Sequence, residues 1–147
     1  MSTKFDAEKA ENAAEIEMQF AVKAVEHAQI YWNLLQLRKG SELRLTKLDD
    51  EIFEDLLKTI PEFKNPEYAK SVNENEMKSA KGKAVWRPFM MRYEKKIDDY
   101  NFGTLLRIKN TDEYEQDTTI FVPRIQFLAV EIARNRYGLN DWVFEQK

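Results

Sequence analysis

Residues 123–136 read Pro-Arg-Ile-Gln-Phe-Leu-Ala-Val-Glu-Ile-Ala-Arg-Asn-Arg. Proline is preorganised for the start of a helix, and Gly138 is suited to stop one after about Tyr137. Ile125, Leu128, Ala129, Ile132 and Ala133 share one helical face, with Phe127 and Val130 off it. A helix apolar on most sides belongs at the centre of a core. Upstream, 103–109 and 118–122 carry the β-branched and apolar residues of two strands. Between them, 110–117 form an acidic turn. The pair predicts an antiparallel hairpin over about 103–122 feeding a central helix.

Working toward the N-terminus, 78–96 is a basic stretch. Lys78, Lys81, Lys83, Arg87, Arg92, Lys95 and Lys96 face only Glu94. Trp86, Phe89, Met90, Tyr93 and Ile97 recur there at helical spacing. Pro88 is placed near a helix start, which predicts a helix from about Arg87 to Asp99. Residues 61–76, with Pro61, Asn65, Pro66, Asn73 and Asn75, read as a loop holding one short helical turn around Tyr68. Leu48, Ile52, Phe53, Leu56 and Ile60 mark a helix ended by Pro61, with Thr46 and Asp49 as an imperfect capping box. Phe5 to Arg38 contains neither Gly nor Pro and reads as one long helix. Phe20, Ala24, Ala28, Tyr31 and Leu35 form its stripe, which Val25, Trp32 and Leu34 widen. The tail 142–144 is expected as an apolar strap or third strand. The fold class is α+β: a mainly helical single domain, with a long N-terminal helix, three or more further helices and a small antiparallel hairpin.

Residues 1–17 differ from the rest. Two cations stand against five acids, and the apolar side chains Phe5, Ala10, Ala13 and Ala14 are mostly small. This segment is expected as an acidic N-terminal extension, with 18–147 forming the domain. No apolar run marks a signal peptide, and no window reaches the length of a membrane span. A cytoplasmic location without membrane association is expected.

The inventory restricts chemistry. The 147 residues hold no Cys and one His, and the net charge is −3. Disulfide scaffolds, Cys-ligated zinc and Cys nucleophiles are excluded. His27 lies near the apolar face of the long helix, and none of Ser2, Ser41, Ser71 or Ser79 sits in a nucleophile-elbow context. Four isolated glycines make no phosphate loop. Asp49-Asp50 and Asp98-Asp99 are sequence neighbours, which do not face each other on a helix. No metal, cofactor or enzymatic activity is therefore expected. Arg107, Arg124, Arg134 and Arg136 lie in or beside the most apolar segments, and arginine is costly to bury unpaired. Either they pair internally with Glu131, Asp98 or Asp99, or they form a recognition face for carboxylates or phosphates.

Four segments together resemble one known family: 43–50 (Leu-Arg-Leu-Thr-Lys-Leu-Asp-Asp), 86–89 (Trp-Arg-Pro-Phe), 99–107 (Asp-Tyr-Asn-Phe-Gly-Thr-Leu-Leu-Arg) and 123–136. They are similar to the polysaccharide biosynthesis domain-containing protein family, over roughly Phe20 to Trp142. The resemblance implies an intracellular, mostly helical domain with a small sheet. It also implies a dedicated cotranslational chaperone, independent of ATP, for the GTP-binding domain of nascent translation elongation factor 1-alpha. Recruitment would involve the nascent polypeptide-associated complex and the ribosome. Under that reading Arg107, Arg124, Arg134, Asn135, Arg136, Asn101 and Phe102 are the expected contact residues, with Trp86, Phe89 and Tyr93 as structural supports. Phe5, Ala10, Ala13 and Ala14 would dock an accessory partner, and the chain would act as a monomer. The alternative expectation is an RNA- or ribosome-binding module using 78–96, where cations contact phosphates and aromatics stack on bases.

Overall fold

The computed structural model describes the backbone of residues 3–146 and the side chains of residues 18–146. The chain order is α1 (Thr3–Leu37), α2 (Asp49–Thr59), α3 (Pro66–Lys70), α4 (Glu74–Lys78), α5 (Ala80–Met91), β1 (Gly103–Arg107), β2 (Thr119–Pro123), α6 (Arg124–Arg136) and α7 (Asp141–Glu145), with 3-10 turns at Gly40–Glu42 and Pro61–Lys64. It is the expected α+β class, mostly helical with one two-stranded antiparallel sheet.

Helix α6 is the axis. Every residue from Ile125 to Asn135 is buried, as its all-round apolar pattern requires. Helices α2 and α3, the hairpin and the turn at Gly40–Glu42 pack around it, while α1 lies along β1 and touches α7. Gly138 ends the helix region with φ of 71°, a left-handed conformation that disfavours other residues. The strands pair from Gly103↔Pro123 to Arg107↔Thr119, so Leu106, Ile120 and Val122 point into the core. Leu105 and Phe121 form a cross-strand pair on the opposite face.

Helix α1 buries Ala24, Ala28, Tyr31 and Leu35 of the predicted stripe, whereas Phe20, its first member, is 47% exposed. Its rings dock by their edges: Tyr31 and His27 meet Phe127 at 5.2 and 5.0 Å, and Trp32 meets Trp142 at 6.0 Å. At the start of α2 the Asp49 carboxylate accepts from the Thr46 amide at 2.7 Å, and Thr46 Oγ1 accepts from the Leu48 amide at 2.9 Å. Only the Asp49 half of the predicted capping box forms: the cap of α2 is Leu48, and the Thr46 hydroxyl meets the Leu48 amide in place of that of Asp49.

Three local expectations are corrected. The helix of the basic run spans Ala80–Met91, not Arg87 to Asp99. Ser79 Oγ accepts from the Gly82 amide at 3.0 Å and starts the helix well before Pro88. Pro88 then falls in the last turn, where it offers no N–H to the Ala84 carbonyl and its ring crowds that carbonyl, three residues before the helix stops. Residues 61–76 are not a loop with one turn but a 3-10 turn, α3 and the start of α4. The asparagines read as loop signals are helix caps: Asn65 accepts from the Glu67 amide and Asn73 from the Glu76 amide. The tail adds helix α7 rather than a strand or strap. Ser41 fixes its first residue through two bonds to the Asp141 carboxylate, at 2.8 and 2.7 Å. Among the described residues no helix is long and apolar enough to cross a membrane.

Candidate docking surfaces

The arginine cluster of α6 and β1 is internal. Glu131, Arg107 and Arg134 each have 0% side-chain exposure. Glu131 Oε1 accepts from Arg107 at 3.1 Å and Oε2 from Arg134 at 2.8 Å. Arg134 also donates to the carbonyls of Ala69, Arg107 and Ile108, which ties α3 and β1 to α6. Arg107 donates to the carbonyls of Asn110 and Asp112 and to Asn140 Oδ1, and the rings of Trp32 and Tyr114 approach its guanidinium at 5.5 and 5.6 Å. Asn135 links Asn140 to the Tyr31 hydroxyl. Burial raises the pKa of Glu131, but Arg107 and Arg134 outweigh it and hold the carboxyl below the usual glutamate range. The network joins α1, α3, β1, the turn at 110–112, α6 and Asn140 around one carboxylate.

Arg107, Arg134 and Asn135 are thus not contact residues in this fold, because no partner reaches them without opening the core. The partner of both arginines is Glu131, and Asn135 is held by Tyr31 and Asn140; Asp98 and Asp99 are exposed and take no part. Arg124, Arg136, Asn101 and Phe102 do reach the surface. Arg124 and Arg136 sit at opposite ends of α6, about 18 Å apart at 1.5 Å per residue. Arg136 is engaged by Asp50 and lies over Phe53 at 5.2 Å. Phe102 packs edge-on against Phe20 at 5.2 Å, beneath Lys23. The expected recognition face is therefore dispersed. Trp86, Phe89 and Tyr93 are buried core members, in keeping with structural support. The side chains of Phe5, Ala10, Ala13 and Ala14 lie outside the described residues.

What the fold leaves open lies beside α1. Met18, Val22 and Val25 are 69%, 50% and 59% exposed and follow one helical row, which Gln29, Trp32 and Gln36 continue. From Val25 onward this second stripe faces the outer side of the hairpin across a groove of about 850 Å³. Val25, Trp32, Leu105 and Phe121 supply its apolar lining, and Glu74, Glu113 and Glu115 its rim. Phe121 is 42% exposed, with its ring laid over Gly103, where a Cβ would come within 2.1 Å of it. The widening by Val25 and Trp32 was the sequence signal for this stripe. The opposed pair Leu105 and Phe121, apolar on the outward side of a hairpin, was a signal that sequence reasoning passed over.

A smaller pocket of about 510 Å³ lies on α5, lined by Trp86, Met90, Met91, Tyr100 and Pro123 with Lys78, Lys83 and Arg87 around it. Among the described residues no group of three or more His, Cys, Asp or Glu could hold a metal ion.

The molecule is an α+β domain with Arg107 and Arg134 locked inside and apolar-lined grooves with charged rims outside. Residues 16–145 match the PBDC1 protein family, and the chain belongs to it. This is the polysaccharide biosynthesis domain-containing family of the sequence resemblance. The chain is 82% identical over 143 residues to a PBDC1 homolog of Schizosaccharomyces pombe, covering 97% of each. It is 56% identical over 147 residues to the Saccharomyces cerevisiae homolog, covering 100% of each. It is 39% identical over 138 residues to human protein PBDC1, covering 94% of this chain and 58% of that protein. A solution NMR structure of a Saccharomyces cerevisiae protein superposes with a TM-score of 0.86 at 54% identity, covering 99% of this chain and 100% of that one. None of these names carries an enzymatic activity.

Proposed function

We infer that the chain is a client-specific, ATP-independent chaperone and not an enzyme. It acts in the cytoplasm as a monomer and holds the GTP-binding domain of nascent translation elongation factor 1-alpha. The observation that carries this reading is the groove between α1 and the hairpin. Val25 and Phe121 stay exposed here beside the half-buried Trp32 and Leu105, and a contiguous exposed apolar patch marks an interaction site. An unfinished GTPase exposes apolar segments that its own core later covers. The groove shields such a segment until nucleotide binding completes the client, whose apolar surface is then no longer available. Release follows from that differential affinity and needs no ATP. The nascent polypeptide-associated complex and the ribosome bring the chaperone to its client, with Phe5, Ala10, Ala13 and Ala14 of the acidic lead as the docking side.

The test is a pull-down from a translating lysate, with the co-purifying nascent chain identified. Wild-type protein recovers nascent elongation factor 1-alpha, and the Val25→Asp/Phe121→Asp double variant does not while melting at the same temperature. Equal recovery by the two proteins would remove the groove from the mechanism. The rival RNA-binding reading rests on exposed cations of 78–96, but Trp86, Phe89 and Tyr93 are buried and offer no ring for base stacking.

A further inference from the structure

We propose that the α5 pocket is a second docking site, which takes an acidic segment of a partner protein and inserts a bulky apolar side chain of that segment between Met90 and Met91. The site meets the α1–hairpin groove only at Lys78, which lines both, and does not depend on the chaperone reading.

Lys83 and Arg87 are four residues apart on α5 and project on one side of the helix. Both are exposed, and neither makes an ion pair with a described residue. The third cation at the pocket, Lys78, is tied to Glu74 at 2.8 Å. No carboxylate lines the pocket. By contrast Arg92 and Lys96, further along the same basic run, are each engaged by an acid of α2. At the pocket, Lys83 and Arg87 therefore carry charge that no described ion pair neutralises.

The floor under these cations is apolar. Trp86 is buried at the base, while Met91 is 54% exposed and Met90 half-buried. Gln126 holds the Met90 sulfur through Nε2 at 3.7 Å. Methionine is flexible and polarizable, and adapts to side chains of varied shape. Carboxylates flanking an apolar anchor match a cationic rim around a thioether floor in both charge and polarity. A nucleic acid would find the cations but no row of open rings to stack on, because Trp86, Phe89 and Tyr93 are buried and Tyr100 at the pocket is half-buried.

The experiment uses the full chain and fluorescence anisotropy. The probe is a short fluorescein-labelled peptide of Asp and Glu around a central Phe-Leu pair. A second peptide replaces that pair by Ser, and a labelled oligouridine serves as the nucleic-acid probe. The Phe-Leu peptide is expected to bind at low salt. Loss of the anchor pair, or the Lys83→Glu/Arg87→Glu double variant, should each weaken binding about tenfold. The Val25→Asp/Phe121→Asp variant should bind the peptide normally. Both cations are exposed, so an unchanged melt will show that the charge-reversed protein is folded; Lys83→Gln/Arg87→Gln is the milder substitute. Equal binding of the anchorless peptide, undiminished binding by the charge variant, or no binding at low salt would overturn the proposal. Tighter binding of oligouridine, lost in the same variant, would overturn it in favour of RNA.

Discussion

Replacing Glu131 by Gln keeps the side-chain shape and removes the only negative charge between two fully buried guanidinium groups. Breaking a buried ion pair by removing one partner costs about 3–5 kcal/mol, because the remaining charge is left uncompensated. The lower end applies here. Arg134 keeps its bonds to the carbonyls of Ala69, Arg107 and Ile108. Arg107 keeps those to Asn110, Asp112 and Asn140. A loss of about 3 kcal/mol is a large fraction of the roughly 5–15 kcal/mol that stabilises a typical domain. For a chain of this size it corresponds to a fall in Tm of about 10 °C. Urea denaturation followed by circular dichroism measures it. The midpoint should drop with an unchanged slope, since the amount of surface exposed on unfolding stays the same. A loss below about 1 kcal/mol would refute the reasoning, because the two guanidinium groups would then not depend on this carboxylate.

The acid limb of the stability curve should carry the same signature. Glu131 titrates below its ordinary range in the folded state. The unfolded chain therefore binds the proton first, and the stability this group contributes is present above the usual glutamate pKa and lost as pH falls through the folded value. Comparing the variant and the wild type across that window in urea should show a shallower acid loss in Glu131→Gln. Changing Ser79 to Ala removes the cap that starts α5 and should cost about 1 kcal/mol, read in the same assay. Changing Gly103 to Ala should push the Phe121 ring off the strand, since the new Cβ would approach it within 2.1 Å; chemical shifts of that ring report the movement, and unmoved shifts would contradict the close approach. Deleting residues 1–17 should abolish ribosome association in a sedimentation assay with little change in Tm, whereas a large drop would make the segment part of the core.

Periodicity made the larger elements legible. The α6 pattern predicted a central helix because apolar residues on most sides leave nowhere else for it to go. The hairpin was legible because its arms are β-branched and its turn polar. Short elements were harder to read. Asn65 and Asn73 cap helices of five residues, too short for a periodic signal, and the same residue type also marks loops. Pro88 misled because proline is more often at the beginning of a helix than in its last turn, and Ser79 was the stronger start signal. The arginines show a different limit. Sequence identified four costly cations near apolar segments, but whether they pair inside or face a partner depends on distances across several segments. Local spacing does not contain that information. The groove was half legible: the widened stripe of α1 was visible, but its partner across the hairpin was set by strand register.

The most direct measurement places a photo-reactive amino acid at Phe121 and mixes the protein with the isolated GTP-binding domain of elongation factor 1-alpha, either nucleotide-free or loaded with guanine nucleotide. A strong crosslink to the nucleotide-free domain and little to the loaded one is expected. Equal crosslinking in both states, or none in either, would contradict it.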